Sequence, residues 1–209
     1  MPPLGALDLP RPTRRAARCQ PREVVSTYTK GAPVTFNFKD LSPTIRGHMI
    51  SEITADLGGN KLYISDNLNP AGQKQYAALL LQAATSGSEG TLATALQGHL
   101  NTHEKPRVNS KTGVTTQPTM RINAHEMLAE GEFNRFYMRA ICIEAIAKNL
   151  QTVTVYRAKA VANARSESMA RVGTSVSAID LLKDLRASVG IDTHLGLPPG
   201  PNSGLSIHL

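Results

Sequence analysis

The sequence predicts an α+β fold: a mainly helical core around one long central helix, with a small β-sheet and extended N- and C-terminal arms. Three observations carry this. Apolar residues recur every three or four positions in several segments, most broadly over 123–149. The segment QTVTVYRAKAV at 151–161 alternates apolar and polar instead, which is the period of a strand. Prolines crowd both ends, at Pro2, Pro3, Pro10, Pro12, Pro21 and Pro33 and again at Pro198, Pro199 and Pro201. Each fixes φ and removes an amide donor, so regular structure does not propagate there.

Residues 1–33 read as an extended basic arm. Arg11, Arg14, Arg15, Arg18 and Arg22 lie among the prolines, opposed by Asp8 and Glu23. Such an arm is either disordered or orders against a partner, losing its entropy on binding. It lacks the continuous apolar stretch of a secretory signal. PVTFNF at 33–38 alternates and reads as a short strand, with Val34, Phe36 and Phe38 on one side. Ser42-Pro43 then opens a helix, Ser as N-cap and Pro at the first helical position. Ile45, Met49, Ile50, Ile53 and Leu57 form its apolar face, and Gly58-Gly59-Asn60 ends it. KLYIS at 61–65 is a second expected strand. Asn69-Pro70 starts the next helix, with Tyr76, Leu79, Leu80 and Ala83 on one face and Gly87 closing it. Ser88 begins a shorter helix carrying Leu92, Leu96 and Leu100. The two make a helical hairpin.

Residues 101–121 are polar and basic, with Lys105, Arg107, Lys111 and Arg121. They read as a projecting hairpin turning at Ser-Lys-Thr-Gly, or as a mobile loop. The central helix follows, with Asn123 at its N-cap and an apolar arc from Met127 to Ile146. Gly131 inside it costs about 1 kcal/mol relative to Ala. It marks a break, a close contact, or two helices in series. After the 151–161 strand, Ser177 caps a last helix. Ile179, Leu182, Leu185 and Val189 form its apolar side and Gly190 its stop. Residues 34–194 thus make one domain, and 195–209 an extended tail.

The chain has 209 residues, 41% hydrophobic, with a formal charge of +7 and only 4% aromatic residues. Aliphatic side chains must therefore fill the core. The charge favours phosphate, anionic lipid or an acidic protein as partner. No apolar run is long enough to cross a membrane. His99 and His103 do not complete a zinc spacing, and His125-Glu126 lacks the second histidine of a metalloprotease motif. Cys142 lies between Ile141 and Ile143, where burial raises a thiol pKa and leaves it inert. Glu126 and Glu130 are four apart and could face one site. The helix dipole and pairing with Arg135 and Arg139 explain such acids without catalysis. Neither a cofactor loop nor a nucleophile elbow occurs. The expectation is a chain with no catalytic, cofactor-binding or metal-binding residues.

The stretches LAEGEFNRFYMRAICIEAI (128–146), VYRAKAV (155–161), LLKDLR (181–186) and GLPPGPNSGLS (196–206) resemble a family of tailed-phage and prophage virion proteins, head-associated or head-tail connector components. The resemblance runs from about Thr35 to the C-terminus and brings no catalytic residues with it. It implies a non-enzymatic structural protein, made in the bacterial host cytoplasm and located in the virion. It also implies a homo-oligomer that contacts other virion proteins (portal, capsid or tail subunits), with non-specific contact to packaged DNA and no membrane. Leu195, Leu197, Leu205, Ile207 and Leu209 are the expected anchors of the tail on a neighbour, and Arg11, Arg14, Arg15, Arg18 and Arg22 the contacts of the arm. Residues 206–209 either add as an edge strand to that neighbour or pack on their own domain. The alternative function is a bacterial nucleic-acid-associated protein. It would hold phosphates through the arm, the 105–121 loop, and Arg157, Lys159, Arg165 and Arg171.

Overall fold

The structure, a computed structural model, describes residues 36–188 and 203–209. Its fold is α+β, with six helices and five short strands in the order α1 (Pro43–Gly58), α2 (Pro70–Ser86), α3 (Glu89–Leu96), β1 (Arg107–Val108), β2 (Thr115–Thr116), α4 (Ala124–Ala147), β3 (Thr152–Arg157), α5 (Ser166–Arg171), β4 (Ser175–Ser177), α6 (Ala178–Ala187) and β5 (Leu205–His208).

The caps form where the polar residues precede each helix. Ser42 accepts from the amide of Ile45, Asn69 from that of Gly72, and Ser177 from that of Asp180. Ser88 and Thr91 exchange hydrogen bonds as a capping box. Each satisfies an amide the helix leaves without a partner. Asn123 occupies the N-cap position of α4 but makes no side-chain bond to it.

Helix α4 is the hub. It is unbroken through Gly131, where an added Cβ would meet nothing within 4 Å. None of the three readings of that glycine is therefore needed. Phe133, Phe136, Tyr137, Met138, Ala140, Ile141 and Cys142 are all buried, and they pack with Ile45, Met49 and Ile53 of α1, Leu92 and Leu96 of α3, and Leu181 and Leu185 of α6. At about 1.5–3 kcal/mol per fully buried large apolar side chain, this cluster dominates the folding energy.

The sheet differs from expectation. Its order is β4-β3-β5, all antiparallel, with Val155 opposite Ile207 and Val153 opposite Val176. Neither 36–38 nor 61–65 is a strand. Phe36 and Phe38 do share a side, their rings stacked 5.3 Å apart, and Phe38 packs on Phe133 and Tyr137. The amides of 36–40, however, go mostly to side chains: Phe36 to Glu89, Lys39 to the Tyr156 hydroxyl and Asp40 to that of Tyr137. Alternation records only that one side is buried; a ladder also requires a neighbouring backbone. On α6, Leu181 rather than Ile179 joins the core, and Ile179 is 57% exposed.

Candidate functional site

Three polar constellations stand out, and the first lies in the interior. Arg139 of α4 is fully buried. Its Nη1 donates to Asp56 Oδ2 at 2.6 Å, and its Nε and Nη2 donate to the Leu185 carbonyl at 3.3 and 2.8 Å. Its guanidinium lies 4.9 Å from the centre of the Phe136 ring and 3.8 Å from Glu52. Arg186 of α6 grips Glu52 through two nitrogens, at 2.9 and 2.5 Å. The network ties α1, α4 and α6 together at one level. Beside it, Glu132 lies 3.5 Å from Arg135, which also donates to the Ser188 carbonyl at 2.6 Å. Burial pushes the Glu132 carboxyl up, and Arg135 and Arg139 pull against that. The Tyr76 hydroxyl has no hydrogen-bond partner among the described residues. Burial first, then the charge of Glu132, drives its pKa well up and keeps it protonated.

The second constellation holds the chain end. Asn134 of α4 donates to the Leu205 carbonyl at 2.8 Å and accepts from the Ser206 hydroxyl at 2.7 Å. Arg157 donates to the Ser203 carbonyl at 2.6 Å, and Ala158 donates to that of Gly204 at 2.8 Å. Gly204 has φ +63°, and an added Cβ would stand 2.4 Å from the Lys159 carbonyl oxygen, so glycine is required there. Nearby, Lys159 binds Glu130. Burial raises the Glu130 carboxyl and the lysine opposes it.

The third is the projecting hairpin. Asn109 turns its tip by accepting the amides of Lys111 and Thr112, and Gly113 takes φ +68°. Its base is closed by Glu104 amide to Pro118 carbonyl and Met120 amide to Thr102 carbonyl, both 2.9 Å. Glu104 binds both Arg107 and Arg121, and Lys105 binds Asp66. On this stiff arm and at its foot, Val108, Val114 and Ile122 are 67%, 56% and 95% exposed.

The expected partner-binding residues divide. Arg11, Arg14, Arg15, Arg18, Arg22, Leu195 and Leu197 lie outside the described residues. Leu205 and Ile207 are fully buried in the domain's own sheet, and Leu209 is partly buried against the core. For 205–209, the packing of the tail on its own domain replaces docking on a neighbour, because β3 offers an unpaired edge and α4 caps the outer side of the new strand. Among the basic residues, Arg107, Arg121, Lys105, Arg157 and Lys159 all have partners within the domain, and the first three remain more than half exposed.

Cys142 is buried, and burial pushes its thiol up to about 12. Glu126 is exposed and lies 4.0 Å from His125, while Glu130 is taken by Lys159, so the two do not converge on a shared site. Among the described residues no group of three His, Cys, Asp or Glu side chains is placed to hold a metal ion, and no helix is long and apolar enough to cross a membrane. The sequence reading missed Glu52, Asp56, Glu89 and Asn134, and it paired Arg135 and Arg139 with Glu126 and Glu130, whereas they meet Glu132 and Asp56 and Glu130 meets Lys159. No protein-family model, no curated protein and no solved structure matches this chain.

Proposed function

We propose that the chain is a non-enzymatic structural protein of a tailed-phage virion, head-associated or part of the head-tail connector, that assembles with copies of itself and with other virion proteins. The virion role comes from the resemblance of the stretches 128–146, 155–161, 181–186 and 196–206. The observation that carries the assembly reading is the hairpin. Its tip and base are hydrogen-bonded within the arm, so it holds one shape without a partner. It nevertheless presents Val108, Val114 and Ile122 to solvent. Covering a large apolar side chain yields up to about 1.5–3 kcal/mol. A preformed arm spends little ordering entropy on docking, and the gain multiplies with the number of symmetric contacts. The termini outside the described residues, with the arm arginines, Leu195 and Leu197, supply further contacts on this reading. The phosphate-binding alternative is less well supported, since five of the cations it needs serve Glu104, Asp66, Glu130 or the carbonyl of Ser203.

The test is the solution mass of the full chain by light scattering over a concentration series, against the variant Val108→Asp/Val114→Asp/Ile122→Asp. A defined oligomer of the 22.4 kDa chain, lost in the variant, is expected. A monomer at every concentration overturns self-assembly. Tight DNA binding that collapses as salt rises would favour the alternative.

A further inference from the structure

A separate surface lies at the far end of the helical core. The end of α4, the segment after α1 and the outer face of α6 enclose an open groove of roughly 420 Å³. Its floor is Ile146, Ile179 and Leu182, and its rim is Lys61, Lys183 and Arg186. On α6 these residues fall at 179, 182, 183 and 186, a single stripe at helical spacing, distinct from the face that Leu181 and Leu185 bury. Ile179 is 57% exposed and Ile146 37%, whereas Leu182 is sunk at 7%. Lys61 and Lys183 have no ion-pair partner among the described residues. Arg186 commits Nε and Nη2 to Glu52. No acidic side chain lines the groove.

We propose that this groove is a docking site for a short acidic amphipathic segment of a partner protein. Its apolar side chains would seat on Ile146, Ile179 and Leu182, and its carboxylates would meet Lys61, Lys183 and Arg186. The combination of floor and rim selects this occupant. Nucleic acid would satisfy the cations but leave Ile146 and Ile179 against water. A lipid surface is flat and requires protruding apolar groups, whereas Leu182 is recessed. An apolar floor excludes water beside the lysines and so strengthens their attraction for carboxylates. The volume is at the small end for ligand sites, so it takes one or two anchoring side chains. That is the scale of a helix laid in a groove. The proposal does not depend on the virion role or on the hairpin.

The experiment selects a ribosome-displayed library of random peptides, about 12 residues long to span three helical turns, on the immobilised full chain. The library is first depleted on the Lys61→Glu/Lys183→Glu variant. Enriched sequences should carry Asp or Glu three or four positions from Leu, Ile or Phe. Fluorescence anisotropy with the best peptide should show binding weakened about tenfold or more by Lys183→Glu and by Ile179→Ser. Both side chains are exposed, so unchanged thermal melting is the folding control. Four outcomes overturn the proposal. They are no enrichment over bare matrix, enriched peptides without acids, binding indifferent to Lys183→Glu and Ile179→Ser, and binding only to vesicles rich in phosphatidylglycerol, which would make the surface a lipid contact.

Discussion

Removing the C-terminal strand should unfold this protein, although its residues close the sequence and follow a proline-rich stretch. Ile207 is fully buried opposite Val155, and Leu205 is fully buried one turn of the pleat away. Truncating either to Ala costs about 2–5 kcal/mol from lost transfer energy and the cavity left behind. Deleting 203–209 removes both and strips Asn134 of the Leu205 carbonyl and the Ser206 hydroxyl. A buried polar group left unpaired adds about 1–3 kcal/mol. The sum, about 5 kcal/mol at its smallest, already reaches the lower bound of a typical total stability of about 5–15 kcal/mol. Ile207→Ala should therefore remain folded with its melting temperature lowered by about 6–12 °C, taking about 3 kcal/mol at about 2–4 °C each for a chain of this size. The 203–209 deletion should lose its cooperative transition in circular dichroism. Gly204→Ala, which touches no buried apolar group, should also destabilise, since its Cβ would strike the Lys159 carbonyl at a φ of +63°. A deletion that melts like the full chain, with an Ile207→Ala shift under about 2 °C, would refute the reasoning and return the tail to the role of a docking arm.

Two further expectations concern the interior. Arg139→Ala should cost about 3–5 kcal/mol in urea unfolding, because it leaves Asp56 charged and buried beside Glu52, and Arg139→Met with Asp56→Asn should recover part of that. In a Cys19→Ser background, Cys142 should resist iodoacetamide at pH 8 in the folded protein and react on unfolding in urea. Burial raises its thiol far above pH 8, so almost none of it is present as the reactive thiolate.

Five of the described helices were legible because their signals are local; the six-residue α5 was not expected. Ser42-Pro43, Asn69-Pro70, Ser88 and Ser177 each place a side-chain oxygen where orphan amides begin, and that chemistry needs only a few neighbouring residues. The strand expected at 151–161 was legible for the same reason, through its own period, and forms over Thr152–Arg157. The expected strand at 61–65, and that at 33–38 over its described part 36–38, failed because alternation reports a buried side and not a hydrogen-bonded partner; residues 33–35 lie outside the described residues. The strand β4 is three residues long, too short for a period to declare itself, while β5 was legible as a strand although its partner was not.

The sequence by itself determined where α1, α2, α3 and α6 begin, the central place of 124–147 and the inert setting of Cys142, all consequences of spacing and of nearby side chains; the helix expected to carry Leu100 ends at Leu96, and Leu100 bridges to Leu68 instead. Tertiary structure alone decided where the charges and the chain end went. Arg139 meets Asp56 across 83 positions and Asn134 meets Leu205 across 71. Nothing local distinguishes such residues from solvent-facing ones, because a buried charge is stable only when a distant partner and the low-dielectric interior arrive together. For residues 206–209 the sequence leaves docking on a neighbour and packing on the same domain equally open, and the edge that β3 presents decides for the second.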